Sequence, residues 1–399
     1  MSALRKGWCP GALAPMRSGD GLIVRLRLSC GELSFAHARE IAALATEFGN
    51  GEIDLTARAH LQLRGVSDAT YPALIERLAQ ARLVDASPEA EAVRNVLVSP
   101  FAGFDGAFDV RPFARAWEQA LASSRALWRL PPKFGVAFDA GHLPLGDLSD
   151  IRFEAQPGGA FVARLAGAAE SLGPFPASEA VAVARALAQA FLAQAFLADA
   201  EAVEGPRRMR DALRARGLAP FAAASGLRCA AAPAPALARV ADWLGAQAAF
   251  VGVAAPFGRL EAPQLAALAD LAEDAGAPGL RLTPWRALLI PGPDAPQALV
   301  RNARALGLIV DPDDPLLRVA ACAGAPACSS AFQETRDAAR RLAALAPRGD
   351  GVWLHLSGCA KGCAHPRPAP FTAVATREGF QLNGEAARTL DALAERIVA

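Results

Sequence analysis

Residues 53–65 read IDLTARAHLQLRG, and residues 280–292 read LRLTPWRALLIPG. The two stretches close longer copies, 31–65 and 258–292, related by an offset of 227 residues. Gly31, Gly49, Leu55, Thr56 and Gly65 recur as Gly258, Gly276, Leu282, Thr283 and Gly292. Alanine matches carry little weight in so alanine-rich a chain, but glycines and a Leu-Thr pair do. Each copy reads as strand (GLIVRLRL; AFVGVAA), turn, amphipathic helix, glycine, strand and helix. Two copies this far apart indicate duplication around an intervening domain rather than a solenoid.

The segment between the copies mixes strands (KFGVAFDA, AFVARLAG) with alanine-rich helices and ends in an Ala/Pro stretch, CAAAPAPALA. A second boundary falls at DPDDPLL, beyond which lie four of the seven cysteines. Four units are expected: 1–90, 91–230, 231–313 and 314–399. The 399 residues are 53% hydrophobic, enough for several cores, and the net charge of +1 gives no nucleic-acid or membrane signal. The most apolar run, AVAVARALAQAFLAQAFLADA, is cut by Arg185, Gln189 and Gln194, so a packed helix is expected rather than a span. The first residues show no apolar export signal, and an odd cysteine count argues against a disulfide framework. A reducing cytoplasm is expected, where clustered thiols more often hold metal. Only three of the 41 basic residues are lysines, Lys6, Lys133 and Lys361, and two of these fall in the motifs below.

Cys322 and Cys328 are spaced C-x5-C, and Cys359 and Cys363, in LSGCAKGCAHP, are spaced C-x3-C. Four thiolates in two pairs suit a [4Fe–4S] cube, one sulfur per iron. Packed core thiols and a zinc site are the plainer readings, although zinc knuckles favour C-x2-C pairs. Ser330 and Gln333 stand at capping-box spacing and predict a helix opening at Ser330, with its positive end beside the cysteines. Cys30 and Cys229 are expected in the core, and Cys9 in either role. Along residues 53–65, taken as one strand, Ile53, Leu55, Ala57, Ala59, Leu61 and Leu63 point one way. Asp54, Thr56, Arg58, His60, Gln62 and Arg64 point the other way. With Arg25 and Arg27 nearby this is a solvated sheet face or a cationic surface for a ligand rich in carboxylates.

The cysteine spacing together with the duplicated half-domain resembles the nitrite/sulfite reductase superfamily, over nearly the whole chain. The resemblance implies an α+β fold in which two ferredoxin-like half-domains join by pseudo-twofold symmetry and two α/β domains flank a cofactor cleft. It implies that Cys322, Cys328, Cys359 and Cys363 bind [4Fe–4S], with Cys363 at the place that bridges to sirohaem iron in the reductases. Their anion-binding residues fall on Arg58 of the T-x-R motif, Arg94 of R-N-V and Lys133 of K-F-K, the catalytic candidates. The second lysine of that motif is replaced by Gly135, and Lys361 stands where asparagine is common. Both departures weigh against a sulfite or nitrite reductase holding sirohaem, the alternative function.

The segment GWCPGALAPMRSGDGLIVRLRL and the short SGCAKGCAHP site are similar to one branch, the precorrin-3B synthases of oxygen-dependent cobalamin synthesis. That likeness implies a mono-oxygenase acting on precorrin-3A with O2, by C20 hydroxylation and closure of a ring-A γ-lactone. A tetrapyrrole site would then hold substrate instead of cofactor. Arg25, Arg27, Arg58, Arg64, Arg94, Lys133 and Lys361 are the implied substrate cations. The branch is associated with a further mononuclear iron, for which His60, His365 and Cys9 are candidate ligands. Electrons would come ultimately from NADH. No G-x-G-x-x-G fingerprint follows a strand, so a separate electron-donor protein is expected.

Overall fold

The computed structural model describes residues 9–104, 106–141, 148–200, 207–231, 239–365 and 367–398. Lys6 and residues 232–238 of the Ala/Pro linker lie outside them. The run 53–65 is not one strand but a hairpin, of strands Glu52–Leu55 and Leu61–Val66. Thr56 makes the turn. Its amide donates to His60 O at 3.0 Å, and its hydroxyl accepts from the amides of Arg58 (3.2 Å) and His60 (3.1 Å). The second copy folds likewise, as strands Leu280–Leu282 and Ala287–Pro291, with Thr283 bonded to Ala287. A threonine that satisfies the amides of its own turn competes with a continuing strand, which accounts for the recurrent Leu-Thr pair. The alternation survives the fold-back, because Ile53 faces Leu63, Asp54 faces Gln62 and Leu55 faces Leu61. Even-numbered residues keep one face of the sheet.

Each hairpin sits in a five-stranded antiparallel sheet that takes its edge strand from the other copy. Arg259–Glu261 pairs with Glu52–Leu55, and Glu32–Leu33 pairs with Leu280–Leu282. The strand exchange is matched by packing of helix Phe35–Phe48 on helix Ala262–Asp274. One continuous apolar core runs through both copies. Fully buried side chains within it, such as Ile41, Leu44, Leu265 and Leu268, each contribute on the order of 1.5–3 kcal/mol.

The intervening segment forms a six-stranded mixed sheet from Val96–Val98 to Cys229–Ala231, cored by Trp117, Phe138, Phe153 and Phe161. The apolar run is a helix, Ala180–Ala200, that buries Val183, Leu187 and Phe191. Among the described residues no helix is long and apolar enough to cross a membrane. The last sheet begins with three parallel strands, Val319–Ala321, Leu354–Ser357 and Phe371–Thr376.

Two local expectations are corrected. The helix expected from Ser330 starts at Arg336 instead. Gln333 spends its amide on Thr376 O (3.1 Å), and the Phe332 amide donates to Gly358 O (2.9 Å), so neither residue is left to open a helix. Cys30 is buried, and burial pushes its thiol up to about 12, whereas Cys229 lies exposed on an edge strand rather than in the core.

Candidate functional site

Both cysteine loops leave the same edge of the last sheet. Strands Val319–Ala321 and Leu354–Ser357 run parallel with Ala321 opposite Leu356, so Cys322 and Cys359 emerge from their C-terminal ends side by side. Open α/β sheets place their ligand crevices at that edge. The loops are stitched together: Gly358 N donates to Cys322 Sγ at 3.1 Å, Lys361 Nζ to Ser330 Oγ at 2.8 Å, and Cys322 N to Leu356 O at 3.4 Å. Thr335, at the start of the helix, donates its hydroxyl to Cys322 O at 2.7 Å. A Cβ at Gly358 would fall 2.7 Å from Ala331 Cβ and 3.4 Å from Cys322 Sγ, so only glycine lets this amide reach the sulfur. None of the four cysteines is in a disulfide. Among the described residues no three His, Cys, Asp or Glu side chains converge on a single ion. His60, His365 and Cys9 do not fall together in one such group. A cubane is wider than an ion and takes its four thiolates farther apart, which suits two stitched loops with the Gly358 amide aimed at sulfur.

The first half-domain grips the Cys322–Cys328 loop. Ser18 Oγ donates to Ala327 O at 2.7 Å, and Arg64 donates to the same carbonyl at 2.8 Å while forking onto Asp20 at 2.9 Å through two nitrogens. Arg64, implied above as a substrate cation, is thus engaged in holding the loop.

The polar face of the same sheet lines a cavity of about 360 Å³, whose far wall includes Cys322 and Cys363. Across four strands runs a row Arg25–Gln62–Asp54–Arg259, set by strand register. Arg25 bonds Gln62 Oε1 at 2.6 and 3.0 Å, and Arg259 bonds Asp54 at 2.8 and 3.3 Å. Burial alone would raise the pKa of Asp54. The Arg259 hydrogen bond and the charges of Arg336, Arg259 and Arg64 outweigh it and hold the carboxyl below the usual range. Arg286 and Arg336 complete the cationic lining. The sequence reading did not assign either one to a site. The available signal was the repeat itself, in which Arg286 takes the place of Ala59.

Arg25 links this cavity to a second basic group. Burial depresses the guanidinium pKa of Arg25 and of Arg58, and the Cys9 thiol acts on both. Arg58 donates to the backbone carbonyl of Lys133 at 3.1 Å. A Cβ at Gly135 would lie 3.4 Å from the Arg58 guanidinium and 3.3 Å from Asn95 O, so Arg58 packs directly against this glycine. Arg27 bonds Asn95 Oδ1 at 3.0 Å, and burial lowers it to about 10. Arg94 forks onto Asp85 at 2.7 and 2.8 Å and bonds Arg27 O at 2.8 Å, so its guanidinium is committed within the chain. His60 lies buried beside Arg27, Arg25, Arg58 and Arg94, with Nδ1 unpartnered, and burial followed by those charges depresses its pKa strongly. Below the C-x3-C loop, His355 in its strand and His365 stand edge to face, with ring centroids 6.0 Å apart.

The second copy offers no such basic group. Trp285, the counterpart of Arg58, packs with Phe101, Trp243 and Phe250 in an aromatic plug. Arg281, the counterpart of Asp54, is capped by the carbonyls of Pro100 and Ala102, both at 2.8 Å.

The profile of the nitrite/sulfite reductase ferredoxin-like half domain matches residues 14–81 and 245–298, the two copies. The chain is 33% identical to a precorrin-3B synthase of Sinorhizobium sp, over 97% of this chain and 84% of that one. It is 28% identical to a ferredoxin–nitrite reductase of Synechococcus elongatus, over 87% and 75% of the two chains. The Mycobacterium tuberculosis NirA structure superposes with a TM-score of 0.69 at 22% identity, over 89% of this chain and 71% of that one, and shares the fold. By sequence, fold and duplicated half-domains, this chain belongs to the precorrin-3B synthase family of the nitrite/sulfite reductase superfamily.

Proposed function

We propose that the protein converts precorrin-3A to precorrin-3B. One atom of O2 enters as the C20 hydroxyl and the ring-A acetate closes a γ-lactone. The other oxygen atom leaves as water, with two electrons and two protons drawn ultimately from NADH through a separate donor protein. The observation that carries this reading is the continuity of the site. Arg25 lines the cavity walled by Cys322 and Cys363, and its charge acts on buried Arg58, whose guanidinium docks on the Lys133 backbone. A polycarboxylate macrocycle spans such a surface, whereas a small anion does not need it.

Cys322, Cys328, Cys359 and Cys363 would hold a [4Fe–4S] cluster, which when bound supplies electrons one at a time. The remaining work belongs to the chain. Arg25, Arg58 and Lys133 bind and orient substrate carboxylates, with guanidinium forks matching carboxylate geometry. Arg27, Arg64 and Arg94, tied to their own partners, hold those cations and the cysteine loop in place. Lys361 ties the two cysteine loops at the edge of the site. Glycine at 135, where the resemblance implies a second lysine, favours this reading over a sirohaem-dependent reductase.

Anaerobically reconstituted protein, given precorrin-3A, a reductant and then 18O2, is the test. One labelled oxygen in a lactonised product is expected. Reduction of sulfite or nitrite, with no label entering precorrin-3A, would sink the proposal.

A further inference from the structure

The charges lining the cavity do not balance. Arg64 is matched by Asp20 and Arg259 by Glu52. Among the described residues Asp54, itself shared with Arg259, is the one carboxylate lining the cavity for Arg25, Arg286 and Arg336. Arg25 reaches a neutral amide and a thiol. Arg336 touches Asp54 through one nitrogen at 3.3 Å, and its Nε and second terminal nitrogen are buried without any partner. Stranded donors of a buried guanidinium are costly unless something accepts from them.

Arg286 adds an independent observation. It sits at the hairpin tip in the left-handed region, with φ 63°, where its repeat counterpart Ala59 has φ 53°. Both copies share this turn conformation, so the hairpin sets the backbone and the side chain is what differs. Its stem runs across Gly258, where a Cβ would come within 2.6 Å of Arg286 Cδ. Among the described residues its guanidinium has no hydrogen-bond or ion-pair partner, and it faces the cavity. One repeat therefore carries alanine at this position, and the other carries a long cation packed along a glycine that both copies keep.

We propose that Arg286 and Arg336, with Arg25 beside them, form a carboxylate subsite next to Cys322 and Cys363 that seats one acidic side chain of the tetrapyrrole. The assignment rests on the reading of the cavity as a tetrapyrrole substrate site. It places the anchored edge of the macrocycle nearest the cysteine loops and leaves the rest to Arg58 and Lys133.

The test is fluorescence titration of the cluster-loaded protein with uroporphyrin, a tetrapyrrole carrying carboxylate side chains. Arg286→Gln and Arg336→Gln should each weaken binding about tenfold or more. Arg39→Gln, on an exposed surface pairing with Asp270 and Glu273, should bind as the unaltered protein does. Iron and sulfide content is measured on every variant. Arg286 strands no protein partner when removed, so Arg286→Gln decides the matter if Arg336→Gln loses its cluster. Binding by both Gln variants within twofold of the unaltered protein would overturn the subsite while leaving the tetrapyrrole reading intact. No uroporphyrin binding by the unaltered protein would overturn both. Competition by millimolar sulfite would hand the subsite to small oxyanions and overturn its assignment to the macrocycle.

Discussion

Gly358 carries the cysteine site at the smallest scale, because its missing Cβ lets an amide point at Cys322 Sγ. Gly358→Ala should part the two loops, so that iron and acid-labile sulfide per chain fall by at least half after identical reconstitution. Full content would show that the amide contact is dispensable. His60 offers a test through pH. Its folded pKa lies well below 6.5, so below that pH the unfolded chain takes up a proton that the folded chain refuses. Stability is complete above about pH 6.5 and declines as pH falls, by at most about 1.4 kcal/mol per pH unit for one proton. His355 and His365 are depressed as well, so the comparison must be with a variant. Between pH 7.5 and 5.5 the Tm of His60→Gln should fall less than that of the unaltered protein. Parallel curves would show that His60 is not a buried neutral histidine in solution.

Between elements, the decisive joint is the grip of the first half-domain on the Cys322–Cys328 loop. Arg64 is 5% exposed in its side chain and forks onto Asp20. Removing one partner of such a buried pair costs about 3–5 kcal/mol. Asp20→Ala should lower stability on that scale in urea unfolding and speed hydrogen exchange in residues 322–328. A change below 0.5 kcal/mol (roughly the ceiling for a neutral surface substitution) would mean that the clamp is incidental. The sequence made the duplication and the cysteine set legible, because glycine, Leu-Thr and thiol spacings are local. The hairpins were not legible, since the turn from Thr56 to His60 preserves even–odd parity and leaves the alternation unbroken. The helix start was misplaced because Gln333 and the Phe332 amide are spent on partners 43 and 26 residues away. The separate tasks of Arg64, Arg94 and Arg286 depend on which acids the fold sets beside them, and no spacing records that.

As a whole the molecule is a duplicated frame whose described residues treat the two equivalent hairpins differently. Aromatic rings pack on the second, and Pro100 and Ala102 cap its arginine. The first borders a cleft that is lined with arginines and meets the cysteine edge of the last sheet. On the proposed function this cleft would hold a cluster permanently and a tetrapyrrole only as substrate. The direct measurement is the absorption spectrum of anaerobically purified protein, with iron and sulfide analysis. The account predicts about four irons and four sulfides per chain and a broad brown absorbance without sharp macrocycle bands. Stoichiometric sirohaem bands, or a colourless protein free of iron, would contradict it.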